Sequence, residues 1–253
     1  MPVDAKALRD YKIGGSGGGA NEWFRPKPGA SGSEQRYTIR LLLKAGESIP
    51  FFDTVIHYFR SKDGFMSGAC PRATGDFCLA CDMFFTLRLE FENDKANKEL
   101  LRKVSPTTRV YANVIDRNVD RVQVWSMPFG VAGDLKNALE TYLEDGVDLT
   151  DPTEGHDITF SVNKTGAVQQ YSALTVRPKA SDVGVEDWEA SCHDLEAKAH
   201  SRMFDDADIR EQIEKVLGDD ASSMLARYDL LAKNRKVNKA KDDADTDAPG
   251  ESV

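Results

Sequence analysis

The residues whose types and spacing most directly suggest chemistry are His57, Cys70, Cys78 and Cys81, which read as His-x12-Cys-x7-Cys-x2-Cys over 25 residues. One imidazole and three thiolates form a soft donor set that suits a tetrahedral zinc ion. Cys78-Leu79-Ala80-Cys81 supplies two ligands from one knuckle. Cys70-Pro71 adds a third from the turn before it, and His57 a fourth from the end of a strand. Gly64, Gly68 and Gly75 let the intervening loop fold back. Four protein ligands leave no position for substrate, so the expected ion is one structural Zn2+ per chain. The remaining thiol, Cys192, stands far downstream. Four cysteines in a chain this long do not build a disulfide framework, and clustered thiols in a reducing compartment point to metal. A redox Cys-x2-Cys normally opens a helix directly after a strand, a context this loop lacks.

Catalytic alternatives fail on the residues themselves. A zinc deaminase needs His-x-Glu and later Pro-Cys-x2-Cys. Here Tyr58 and Phe59 follow His57, Phe77 replaces the proline, and an extra cysteine closes the coordination sphere. No Gly-x4-Gly-Lys-Ser/Thr occurs, and the run Gly14 to Gly19 precedes no strand or helix that would make it a nucleotide loop. His156, His193 and His200 lack a nucleophile or metal partner in the sequence, and Cys192-His193 reads as helix surface. The expected protein is not an enzyme.

The elements that must position the metal ligands are mostly strands. β-Branched and aromatic segments run over Arg36–Leu43, Phe51–Phe59, Thr107–Ile115, Arg121–Met127, Asp157–Val162 and Val168–Arg177. Asn118-Val119-Asp120 is a tight turn between the third and fourth, and Lys164-Thr165-Gly166 between the last two. Helical spacing marks Asp82–Lys103 and a segment begun near Gly133-Asp134 with Leu135, Leu139, Tyr142 and Leu143. Beyond Pro178 it marks Glu186–Met203, Asp208–Leu217 and Ala221–Lys233. This order predicts a mainly β fold with α, a small mixed barrel with a helical appendage. The expected organisation is a flexible segment over 1–20, a core over 21–180 with the metal subdomain at about 57–81, a helical region over 181–234 and a disordered acidic tail over 235–253.

Alternation within the strands groups side chains by face. Arg109, Tyr111 and Asn113 share one side of their strand, and Arg121, Gln123 and Trp125 one side of the next. Aromatics interleaved with arginines make a platform on which unpaired bases stack while cations meet phosphates. The competing reading packs Tyr111 and Trp125 under a flanking helix. The expected nucleic-acid contacts are Arg40, Tyr58, Arg60, Lys62, Arg72, Arg109, Tyr111, Arg121, Trp125 and Tyr171.

The formal net charge of −9 is unevenly spread. Residues 1–130 hold 19 Lys+Arg against 15 Asp+Glu, and residues 131–253 hold 14 against 27. A basic run of Lys233, Arg235, Lys236, Lys239 and Lys241 precedes Asp242, Asp243, Asp245 and Asp247. Such asymmetry fits a binding domain followed by an interaction tail. The longest apolar runs, Leu41–Leu43 and Ser48–Phe52, fall far short of the ~20 residues of a bilayer span, and Met1–Asp10 is polar. A soluble intracellular protein is expected.

An early Arg-x-Leu strand, then His57, Cys70 and Cys78-x2-Cys81, a barrel-like strand set and an acidic end resemble the single-stranded-DNA-binding proteins of tailed bacteriophages, the helix-destabilising type of T-even phages. The four metal residues match that family's zinc ligands in type and order. The resemblance implies an OB-fold with an inserted zinc subdomain and a five- to six-stranded barrel. It further implies sequence-nonspecific single-stranded DNA binding in replication, recombination and repair, in the cytoplasm of an infected bacterial host. The acidic tail would regulate DNA access and contact replication and recombination proteins. Self-association on DNA stays open, because Asp4 and Asp10 offset Lys6 and Arg9 where the family carries a basic segment. The alternative is a zinc-containing replication or transcription scaffold that binds protein instead of DNA.

Overall fold

A computed structural model describes residues 22–166 and 168–246, with side chains through 233. The head at 1–20, its glycine linker, Asp247 and the chain beyond it lie outside the described residues. In chain order the strands are β1 (Trp23–Phe24), β2 (Gln35–Leu42), β3 (Phe52–Ser61), β4 (Gly64–Ala69), β5 (Pro106–Asp116), β6 (Val122–Pro128), β7 (His156–Thr165), β8 (Val168–Tyr171) and β9 (Thr175–Ala180). The helices are α1 (Leu79–Glu90), α2 (Lys95–Arg102), α3 (Phe129–Glu144), α4 (Trp188–Ser191), α5 (Leu195–Ala199), α6 (Asp206–Leu217) and α7 (Ala221–Thr246).

The chain forms two compact units. One comprises residues up to Phe51 and Tyr111–Leu195, the other Phe52–Val110 and the chain from Glu196 onward. The expected boundary at 180/181 is not where they part. α6 and α7 are no appendage: they share one core with the metal-ligand segment. Their apolar stripe of Ile209, Ile213, Val216, Leu217 and Met224 needs burial, and Leu79, Met83 and Leu87 of α1 provide it.

In the first unit the strand order is β1-β6-β5-β2-β7-β8, with β9 following β8 along the same edge of β7. This curled half-barrel sheet is the OB-fold-like part of a mixed α/β structure. β2 runs antiparallel to both β5 and β7, with Ile39 opposite Asp116 on one side and Ile158 on the other. The expected strand Val168–Arg177 is divided into β8 and β9 by a break at 172–174, where the Ser172 amide donates to the Ser161 carbonyl and the Ser161 amide to Ser172 Oγ.

A buried ion network braces this sheet. Arg40 is fully buried, and its Nη2 donates to the carbonyls of Asp151 and Ser181 at 2.5 and 2.8 Å. Arg117 grips Asp157 through Nε and Nη2 at 2.8–3.1 Å and reaches the Val183 and Asp182 carbonyls. Burial pulls the Arg40 guanidinium below its ordinary value, and Asp157 opposes that pull. Gly155 completes the arrangement: a Cβ there would lie 2.6 Å from Arg40 Nη2 and from the Leu149 and Asp151 carbonyls.

Several predicted elements differ in extent. Asp82–Lys103 is two helices, because Asp94 accepts from the Asn97 amide at 3.1 Å and starts α2 afresh. Glu186–Met203 contains only the short α4 and α5. α7 continues past Lys233 to Thr246, since no proline or glycine interrupts it before Pro249. Asp242, Asp243 and Asp245 therefore sit on helical backbone, where a disordered tail was expected.

Replacing Asp157 with alanine leaves two largely buried guanidinium groups uncompensated. It is expected to destabilise the protein by about 3–5 kcal/mol, read as a lowered urea midpoint. An unchanged midpoint would show the network to be dispensable.

Candidate metal centre and nucleic-acid interface

The metal ligands converge within the second unit. β3 and β4 form a hairpin in which His57 faces Gly68 and Ile56 faces Ala69, so Cys70 follows directly from the stem. Its amide donates to the Val55 carbonyl at 2.8 Å. Pro71–Thr74 then makes a single 3-10 turn closed by Gly75, whose φ of 87° is one that side-chain-bearing residues rarely adopt. Cys78 is the N-cap of α1 and Cys81 lies in its first turn. Gly68 is needed for packing: a Cβ there would come within 3.0 Å of the Arg202 carbonyl and the Phe204 ring. The Arg202–Phe204 segment is held there by the Ala69 amide, which donates to the Arg202 carbonyl at 2.8 Å. The expected loop at 57–81 thus contains a strand, β4, which sequence reasoning missed because Gly-Phe-Met-Ser-Gly-Ala carries no β-branched residue.

All four ligand groups are buried, and their donor atoms lie within 4.8 Å of one another. His57 Nε2 is 3.3 Å from Cys78 Sγ and 3.5 Å from Cys81 Sγ, and Cys70 Sγ is 3.5 Å from Cys81 Sγ. A tetrahedral ion with ~2.3 Å bonds to sulfur and ~2.0 Å to nitrogen needs edges of roughly 3.5–3.8 Å, so the set fits one metal ion. The thiols also perturb one another's ionisation. Hydrogen bonding with Cys70, then Cys81, holds Cys78 far below the ordinary thiol value, whereas Cys70 is pushed up to about 11 mainly through its hydrogen bond with Cys78. Cys81 is raised by its hydrogen bonds with Cys70 and Cys78. A divalent cation removes that conflict by stabilising every thiolate together. His57 lies flat against Phe59, with centroids 5.5 Å apart and planes within 9°.

The ten residues expected to contact nucleic acid are divided between the two units. Trp125, Tyr111 and Arg40 are corrections to that expectation, because all three are buried. Trp125 is 1% exposed and stacked on Phe160 at 5.0 Å, with Phe24 edge-on at 5.5 Å. Tyr111 meets the edge of Trp23 at 6.3 Å. The cover comes from β1, which pairs parallel with β6 and sets Phe24 opposite Trp125. Arg40 is consumed by the ion network. Tyr171 is half-buried at the rim of the same aromatic cluster, 6.0 Å from Phe160. Arg109 and Arg121 are half-buried, and Arg72 is exposed.

Tyr58, Arg60 and Lys62 are brought together on the β3–β4 hairpin, with Lys62 in its turn. The sequence reading overlooked Phe65, which the register places opposite Arg60. Phe65 is 58% exposed and stacks with Tyr58 at 5.8 Å and 23°. The Arg60 guanidinium lies 5.9 Å from the Phe65 ring centre. The available signal was Gly64 next to an aromatic residue after a polar turn. Strand alternation turns Tyr58 and Arg60 to the side opposite His57 and Phe59, so one strand carries a metal ligand on one face and an aromatic–cationic pair on the other.

A family model described as "gp32 DNA binding protein like" matches residues 34–217. The chain belongs to this DNA-binding family. The gp32-like match runs from β2 through α6 and takes in all four metal ligands and the hairpin. It leaves α7 and the acidic run outside. No curated protein gives a significant match. Among the described residues, no helix is long and apolar enough to cross a membrane.

Serine at Cys81 removes a thiolate without changing side-chain size much. This variant is expected to lose most of the one metal equivalent measured by elemental analysis and to melt at a lower temperature. Retention of a full equivalent would place the ion elsewhere.

Proposed function

We propose that this chain binds single-stranded DNA without sequence preference, using the outward face of the β3–β4 hairpin, and that the His57/Cys70/Cys78/Cys81 set holds one structural Zn2+. The observation that carries the reading is the stack of half-buried Tyr58 with exposed Phe65, with Arg60 against it. Flat rings accept any base, and neighbouring cations neutralise the strand without reading sequence. Membership of a DNA-binding family supports the same conclusion.

In this reading the zinc performs no chemistry. It ties the hairpin stem, through His57 and Cys70, to the start of α1, through Cys78 and Cys81, and so fixes the rings before DNA arrives. Pre-ordering the site reduces the entropy lost on binding. Arg60, Lys62 and Arg72 supply the phosphate contacts within this unit; Arg109, Arg121 and Tyr171 remain further candidates. Replication, recombination and repair in the cytoplasm of an infected bacterial host are the settings that such binding serves, and no catalytic step is assigned. Asp242, Asp243, Asp245 and Asp247 are assigned to compete with DNA for these cations and to contact replication and recombination proteins.

Alanine at Phe65 or Tyr58 is expected to weaken binding to oligo-dT by about 1–3 kcal/mol each. Neutralising Arg60 and Lys62 together should flatten the slope of log K against log salt by roughly 0.7 per lost contact. Full affinity in the Phe65→Ala and Tyr58→Ala variants would refute the hairpin assignment. Removal of everything after Lys241 should tighten binding at low salt, and equal affinity of the two chains would dismiss the competing-tail idea.

A further inference from the structure

A second exposed surface, in the unit that carries the His57/Cys70/Cys78/Cys81 cluster, meets the reading above only at Arg72. α1 buries Met83 and Leu87 in the core it shares with α6 and α7. Its opposite side presents Phe85, Arg88 and Leu89, which helical spacing places together. Phe85 is 41% exposed and Leu89 71%, while Phe77, just before the helix, is 57% exposed. Two guanidinium groups flank the Phe85 ring, Arg88 at 5.1 Å and Arg72 at 5.9 Å from its centre. Arg88 has no ion pair among the described residues, and Arg72 has only a loose one with Asp82 at 3.8 Å. Large apolar side chains concentrated on one exposed face, with arginines among them, have the composition of the energetic centre of a protein interface.

We propose that this face of α1 is a docking site for a partner protein's peptide segment that carries carboxylates beside large apolar side chains. Charge complementarity selects the carboxylates: guanidinium groups held against a ring keep their N–H donors directed outward, ready for bidentate pairing. The aliphatic Leu89, the most exposed of the three apolar residues, selects an apolar side chain over a nucleic-acid base, which gains most from a flat ring. The acidic neighbours Asp76 and Asp82 also weigh against a polyphosphate strand, whose charges are closely and regularly spaced. Rigidity comes from below. Cys78 and Cys81 anchor the first turn of the helix, and Tyr228 of α7 donates to Asp82 Oδ2 at 2.8 Å. The proposal does not depend on the DNA reading: the two share Arg72 alone, and Phe85, Arg88 and Leu89 take no part in the hairpin platform.

The test is selection from a displayed library of random peptides on the full chain with its metal in place, with the Arg88→Glu/Leu89→Ser chain as the comparison. Both positions are solvent-facing, so the variant's metal content and melting temperature should equal those of the parent; if they do not, Arg88→Ala alone replaces it. Expected are enriched peptides that combine Asp or Glu with Phe, Leu or Trp and bind the variant at least about tenfold more weakly. Absence of enrichment, or enriched peptides indifferent to the substitutions, overturns the proposal. A clear loss of oligo-dT affinity in the variant would reassign the face to nucleic acid. A concentration-dependent dimer that the substitutions abolish would reassign it to a second copy of this chain.

Discussion

Three sulfur atoms and an imidazole nitrogen drawn within 4.8 Å of one another are the constraint on which the metal-bearing unit depends. Without a cation, only part of that set can ionise, because each thiolate raises the cost of the next. With one, the same crowding becomes a clamp that joins residues from a strand, a turn and a helix start. The consequences reach well beyond the ligands. The β3–β4 hairpin gains a fixed stem, α1 gains a fixed first turn, and the inner face of α1 becomes a floor onto which α6 and α7 pack.

Strand alternation links this cluster to the proposed DNA-binding surface. His57 and Phe59 face inward while Tyr58 and Arg60 face outward, so holding the first pair orients the second at no extra conformational cost. In the proposed reading, an ion held there would govern affinity without taking part in chemistry. The helix works in a similar way, with Met83 and Leu87 buried beneath Phe85, Arg88 and Leu89. The β3–β4 hairpin and the first turn of α1 both carry residues of the His57/Cys70/Cys78/Cys81 cluster, which could hold one metal ion.

The first unit solves a different problem. Several strand residues that look amphipathic in sequence, Arg40, Tyr111 and Trp125 among them, end up inside. Arg40 shows the cost of that arrangement: a buried guanidinium is tolerable only because two carbonyls and Asp157 attend it. Trp125 shows the gain, since a large ring stacked on Phe160 with Phe24 against its edge contributes heavily to the core.

Much of this was legible before any coordinates. The ligand set, most strands, the hairpin turns at Asn118–Asp120 and Lys164–Gly166, and the helical character beyond Pro178 follow from residue type and local spacing, because donor chemistry, turn formation and periodicity are properties of short segments. What covers each face was decided by tertiary structure. Alternation groups Tyr111 with Arg109 and Trp125 with Arg121 in sequence, but it cannot say whether solvent or another element lies above them. The two-residue β1 supplied that cover from about a hundred positions away, and Phe65 became a stacking partner only through its register against Arg60. Sequence determined which side chains could act and which of them travel together on one face. Burial, a sum over contacts between segments distant along the chain, determined which of those faces solvent and a ligand can reach.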